Sequence, residues 1–251
     1  MATDIELLSE RARRKAALAE AGLGKSASFE SLFKSMGFTC FSENLYLEQM
    51  RTWIHLCIQN HITKLFVPMI LLPVISKFLN SDHININLGT IIDYPFPNLP
   101  SDLKISAIKW ARTQGAKTII VTMQSGVIRD PNIRNNFREA LSTYKKNVPS
   151  RFPLYIAFNS SLLSEEEIIT LARHAEMGGA SGIYSIAQRK NPTILRNIAL
   201  LRSATPDNIH IGIIGNIRSW QETETLGTVG AERIISSCPP HEFRYPFFPN
   251  Y

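Results

Sequence analysis

From Gly37 onward, short apolar runs alternate with amphipathic stretches of helical period, and this alternation limits the possible folds more than any other feature of the chain. Residues 37–42, 63–67, 84–92, 117–122, 154–158, 181–185, 209–213 and 232–235 read as strands. Helical patterns lie between them, such as Leu45, Leu47, Met50, Ile54 and Ile58, or Ile194, Leu195, Ile198 and Leu201. Strand–helix repetition builds a parallel sheet, because each crossover must carry the chain back to the end where the last strand began. Eight strands and seven intervening helices fit a closed (β/α)8 TIM barrel better than an open sheet. A length of 251 residues is typical of that fold.

Local signals punctuate the pattern. Ser101 and Asp102 are expected to cap a helix that Gly115 closes, Ser164 and Glu167 have the spacing of a capping box, and Gly178 and Gly179 stop the helix that follows. The eighth helix is missing. Residues 238–251 stand in its place, and their prolines forbid a regular helix. The expected organisation is therefore an N-terminal helical extension and linker over 1–36, a barrel over 37–237 and an irregular proline- and aromatic-rich tail over 238–251. Residues 4–22 read as an amphipathic helix through Ile5, Leu7, Leu8, Ala16 and Leu18. Packing across its own barrel is the plainer expectation for it, with a partner or homo-oligomer contact as the alternative.

Composition excludes several classes. There is no run of eighteen apolar residues and no signal-like apolar stretch near Asp4, Glu6 and Glu10, so a cytoplasmic chain is expected. Cys40, Cys57 and Cys238 form no CxxC pair, and the six histidines show no ligand spacing, so neither a disulfide framework nor a metal site is expected. No dinucleotide or P-loop fingerprint occurs, and no cofactor is expected. The net charge of +6 favours acidic or phosphorylated ligands, but the basic residues are spread along the chain rather than gathered into a nucleic-acid stripe.

Several stretches appear in consecutive order and resemble the deoxyribose-phosphate aldolase family. They are Asp93-Tyr94-Pro95-Phe96-Pro97 followed by Asp102-Leu103-Lys104 and Gly115-Ala116; residues 161–168; residues 179–183; and residues 211–218 followed by 230–234. The resemblance covers roughly residues 37–237. It implies a barrel in which a lysine on strand six condenses with an aldehyde, a second lysine on strand seven lowers its pKa, and an aspartate on strand four moves protons. An amine must be neutral to attack a carbonyl, a neighbouring cation disfavours its protonated form, and a carboxylate can relay the proton. In this sequence those positions fall on Tyr184, Gly212 and Ile120, and two further acidic positions fall on Ser42 and Asn159. No lysine occurs within residues 181–188 or 209–216, and no acid within 118–125, so a slip of register restores nothing. The barrel interior is expected to hold no amine able to condense with a carbonyl.

What remains is a set of binding candidates at the strand C-termini, the working face of such barrels. Gly215, Asn216, Ser236 and Ser237 could cradle a phosphate with amides and hydroxyls, or simply form a tight turn. Arg189 and Lys190 follow strand six and could neutralise a phosphate, or be solvated loop charges. Lys190 is the one lysine near that rim, although a wet amine lacks the desolvation that lowers a pKa. Asn44, Asn87 and Gln124 could polarise a ligand at the strand ends, and Tyr251 could fold over the mouth or pack elsewhere. The reading is an aldolase-like barrel that has lost aldol chemistry and binds a small phosphorylated ligand or a protein partner. The alternative is an active lyase with a site rebuilt around Tyr184, Ser237 or Lys190.

Overall fold

The computed structural model describes residues 2–24, 28–41, 46–149, 152–187 and 193–245. Its strands are β1 (Gly37–Thr39), β2 (Lys64–Phe66), β3 (Asn87–Ile92), β4 (Thr118–Thr122), β5 (Tyr155–Phe158), β6 (Gly182–Ala187), β7 (His210–Gly215) and β8 (Arg233–Ser236). Each pairs in parallel with the next, and β8 pairs with β1, which closes the barrel in sequence order. Its helices are α1 (Ala2–Glu20), α2 (Phe29–Ser35), α3 (Leu47–Gln59), α4 (Leu72–Ser81), α5 (Ser101–Thr113), α6 (Pro131–Lys146), α7 (Glu165–Met177), α8 (Ile194–Ala204) and α9 (Trp220–Val229). Strands such as Thr118–Thr122 are buried along almost their whole length, because helices cover the outer face and the barrel centre occupies the inner one.

The apolar core is therefore double. Helices α3 to α9 pack onto outward residues such as Leu65, Ile119, Ile183 and Ile211. A separate inner cluster comprises Phe66, Ile91, Ile120, Tyr155, Ala157, Tyr184, Ile186, Ile214 and Ile235, with Phe41 and Tyr94 against it.

Among the described residues no helix follows β8, and that side of the barrel is covered from two directions. Helix α2 packs on α9 and β8, with the stacked Phe29 and Phe33 rings against Trp220 at 4.7 and 5.9 Å. The tail residues Phe243 and Tyr245 cover the outward Phe38 at 5.5 and 6.2 Å. Helix α1 lies on α8 and α9 and is tied to α7 by Arg13–Glu165 at 2.8 Å and by Asp4–Arg173. Its buried face agrees with the expected one at Ile5, Leu8 and Ala16 and departs from it at Leu7 and Leu18. Ala12, Ala16 and Ala19 face the barrel, while Leu7 and Leu18 are exposed, because small side chains let two helices approach closely.

Capping follows the sequence at one helix and departs from it at another. Glu167 N–H donates to Ser164 Oγ at 3.2 Å and Ser164 N–H to Glu167 Oε2 at 2.8 Å, a complete capping box. By contrast, α5 has Pro100 at its N-cap with no side-chain cap. Ser101 is already inside that helix, where its Oγ accepts from the Tyr144 hydroxyl at 3.2 Å.

Candidate functional site

The barrel centre is filled by aromatic rings laid over glycines on the next strand. Phe66 is in register with Gly89, Tyr155 with Gly182, and Tyr184 with Gly212. A Cβ at each glycine would fall 2.7, 2.9 and 2.4 Å, respectively, from the ring of its partner. Such distances leave no room for a side chain, so each ring occupies the volume its neighbour gives up. Tyr184 is 3% exposed and meets Tyr155 edge-on at 5.7 Å. Burial pushes its phenol up, with the Arg233 guanidinium only partly opposing the shift. A neutral, buried phenol is neither a nucleophile nor a base at neutral pH.

Of the rim residues, Gly215, Ser236 and Ser237 do meet where β7 and β8 end. Ser237 N–H donates to Gly215 O at 2.8 Å, as does Ile217 N–H at 2.9 Å. The fully buried Ser236 hydroxyl donates to Ile217 O at 2.6 Å and accepts from Cys238 N–H at 3.0 Å. These bonds knot the two loops together and leave Asn216 and Ser237 exposed on the outside. Arg218, which the motif around Gly215 contains but the sequence reading gave no role, stands beside them and donates to Asn216 Oδ1 at 3.3 Å. Arg189, Lys190, Ser42, Asn44 and Tyr251 lie outside the described residues.

The other polar candidates have structural partners. Asn159 Oδ1 accepts from Ser161 N–H and Oγ at 3.1 and 2.6 Å, and Ile120 is wholly buried in the inner core. Gln124 is exposed at the mouth. Asn87 is not at the mouth. It opens β3 at the opposite end, where its Oδ1 accepts from Thr118 Oγ1 at 3.0 Å. Residues 84–86, which the apolar pattern joins to the strand, only lead into it, so Asn87 is its first residue. Above the aromatic rings, the buried hydroxyls of Thr39 and Thr122 have no hydrogen-bond partner among the described residues. They are uncommitted polar groups at the inner mouth, able to bind but not to form an imine.

No protein-family model matches the sequence. Among curated proteins, it is 22% identical over 154 residues to the deoxyribose-phosphate aldolase of Clostridium kluyveri, covering 61% of this chain and 70% of that protein. It is 18% identical over 213 residues to the Corynebacterium glutamicum enzyme of the same name, covering 84% and 94%. The chain is similar to deoxyribose-phosphate aldolases at low identity. Solved structures agree in fold. A putative deoxyribose-phosphate aldolase from Coccidioides immitis superposes with a TM-score of 0.75 at 15% identity, covering 91% of this chain and 94% of that one. The tetrameric deoxyribose-phosphate aldolase of Aeropyrum pernix gives 0.67 at 15% identity, covering 93% and 95%.

Against these aldolases, the positions that the resemblance assigns to two lysines are register partners here, and together they form one packed unit of ring and glycine. The loop resembling the family's third βα junction is pinned by a buried ion pair that the sequence reading passed over. Asp93 sits at φ 61°, and its Oδ2 accepts from Asn98 and Leu99 N–H at 2.9 and 3.0 Å. Lys104 Nζ lies 3.0 Å from that oxygen and donates to Thr122 O at 2.7 Å. The pair is only 6% and 4% exposed and ties the loop to the end of β4. Its signal was the motif itself, in which an aspartate at a strand end precedes a helical lysine.

One expectation is corrected. The interior does hold an amine. Lys64 opens β2 with the same inward parity as Phe66, half-buried below the aromatic rings. Burial first, and the Arg233 cation second, lower its pKa from 10.5 to about 8. It lies at the N-terminal end, across the rings from the mouth, so it does not replace the strand-six lysine. The sequence reading counted lysines only near the positions marked by the resemblance.

Proposed function

We propose that this chain is an aldolase-type barrel that has lost imine-forming aldol chemistry and serves as a binding protein for a small phosphorylated ligand. The packed Tyr184–Gly212 unit carries the reading: two aligned positions that would each need an amine are occupied by a neutral phenol and by no side chain. The seat proposed for the ligand is the C-terminal rim, with Asn216, Ser237 and Arg218 exposed there and Gly215 and Ser236 holding the loops beneath. Arg189 and Lys190 would add charge from the loop after β6. The unpaired Thr39 and Thr122 hydroxyls support a polar ligand that dips into the mouth without reaching the ring layer.

A protein partner is the second reading, carried by Phe96. This residue stands 74% exposed on the pinned loop at the mouth, where an apolar side chain has no packing role. No helix among the described residues is long and apolar enough to cross a membrane. We take a cytoplasmic homo-oligomer as the working form, by analogy with the tetrameric relative.

The test is cleavage of deoxyribose 5-phosphate by the purified chain, paired with thermal denaturation in the presence of sugar phosphates. The expected result is no turnover above the blank, together with a saturable rise in Tm. Occupancy at about a hundred times Kd stabilises the fold by about 2.7 kcal/mol. Measurable retro-aldol turnover refutes the proposal.

A further inference from the structure

Lys64 and Arg233 are the first residues of β2 and β8, at the end of the barrel away from the rim. Each precedes an inward residue by two positions, Phe66 in one case and Ile235 in the other, so both side chains start toward the barrel axis. β1 runs between these two strands and is paired to both. Beside Lys64 it contributes no side chain, because the residue there is Gly37, where a Cβ would lie 2.9 Å from that of Lys64, and on its other side Gly37 is in register with Ile235, two positions beyond Arg233. Two half-buried cations therefore flank β1 at this end of the barrel, near enough for the Arg233 charge to act on Lys64.

Nothing among the described residues neutralises them. Neither is in an ion pair with a described residue. The nearest acid in sequence, Glu232, is committed elsewhere, to Arg202 at 2.7 Å and to His210 at 2.7 Å. Arg233 is held in place by the Tyr155 ring, 5.2 Å from its guanidinium carbon, and by the Tyr184 phenol, while its Nε is buried with no hydrogen-bond partner among the described residues. Asn87 and Thr118 put an amide and a hydroxyl at the same end of the barrel. Like charges confined together raise the energy of the fold, and an oxyanion between them removes the repulsion while accepting hydrogen bonds from both.

We propose that the N-terminal end of the barrel is a second binding site, in which Lys64 and Arg233 hold a phosphate-type oxyanion. Burial first, and the Arg233 charge second, leave much of the Lys64 amine neutral near pH 8. An aldehyde carried on a phosphate would therefore be drawn to Lys64 and could condense with it. The site is separate from the rim and does not depend on the proposed loss of aldol chemistry.

The experiment uses the full chain and two probes. Pyridoxal 5′-phosphate carries both groups: the Lys64 amine adds to its aldehyde with loss of water, and borohydride then supplies the hydride that fixes the imine as a secondary amine. Peptide mapping is expected to place the adduct on Lys64 ahead of the surface lysines. Inorganic phosphate at about ten times its Kd is expected to slow that labelling about tenfold. Pyridoxal, which lacks the phosphate, is expected to label Lys64 no faster than the other lysines. Phosphate should also raise Tm in the parent chain and in an Asn216→Ala/Ser237→Ala rim variant, but not in Lys64→Met or Arg233→Gln. Labelling spread over the surface with none on Lys64, or an adduct that phosphate does not protect, overturns the proposal. Both measurements are made on the unmodified chain, so they decide the matter even if a variant fails to fold. Turnover of deoxyribose 5-phosphate would refute the rim reading and leave this one standing.

Discussion

Placing a methyl group on Gly212 tests whether the former lysine positions are now a single packed unit. In Gly212→Ala the new Cβ would lie 2.4 Å from Tyr184 Cε1 and 2.5 Å from Cδ1. No carbon pair tolerates that separation, so the ring must shift by roughly 1 Å to reach ordinary contact. It has little freedom to do so, because Tyr155 abuts its edge at 5.7 Å and Ile186 and Ile214 belong to the same cluster. Overpacking of this kind destabilises by about 1–3 kcal/mol. Each kcal/mol lowers Tm by about 2–4 °C for a chain of this size. In a Tyr184→Ala background, itself destabilised by about 3–5 kcal/mol, the clash is gone. There Gly212→Ala should be neutral or stabilise by about 0.5–1 kcal/mol, because alanine loses less backbone freedom on folding. Urea denaturation of the four proteins then gives an interaction energy of about 1–4 kcal/mol. If Gly212→Ala has the same effect in both backgrounds to within about 0.5 kcal/mol, the ring does not occupy the glycine's volume and the argument collapses.

Lys104→Met should destabilise by about 3–5 kcal/mol, because it strands the Asp93 carboxylate in a buried place, and Asp93→Asn/Lys104→Met should recover part of that loss in the same denaturation assay. Ser164→Ala removes one half of the capping box and should cost about 1 kcal/mol. Lys64 binds its proton less tightly folded than unfolded, so over the window from about 8 to 10.5 the unfolded chain carries the extra proton and this residue's contribution to stability rises with pH. Comparing the slope of stability against pH for the parent chain and Lys64→Met should show that increment vanish in the variant. An unchanged slope would mean that the amine is fully solvated.

The alternation of apolar runs and helical faces was enough to read eight strands in order, and the capping box at Ser164 and the stop at Gly178 were legible because their causes are local. The start of β3 was misplaced, since Ile84 and Ile86 continue the apolar pattern without joining the ladder. On α1 the pattern placed Leu7 and Leu18 in the buried stripe beside Ile5, Leu8 and Ala16, but close approach to α8 selects Ala12 and Ala19 in their stead. At the candidate site, the loss of both lysines was visible as residue types. That tyrosine and glycine compensate each other sterically was not, because they lie on different strands and meet only through the register of β6 on β7.

The sequence by itself determined the fold class and the absence of an imine-forming lysine at the aligned strand-six and strand-seven positions, because periodicity and residue chemistry are properties of the chain. Only the closed barrel decided which inward side chains meet. It buried Asp93 on Lys104, set Asn87 at the far end, tied the Ser236 hydroxyl into the loops, and set Lys64 and Arg233 on either side of β1. Those encounters depend on register and on which volumes the neighbours leave empty, and neither is written in any single stretch of residues.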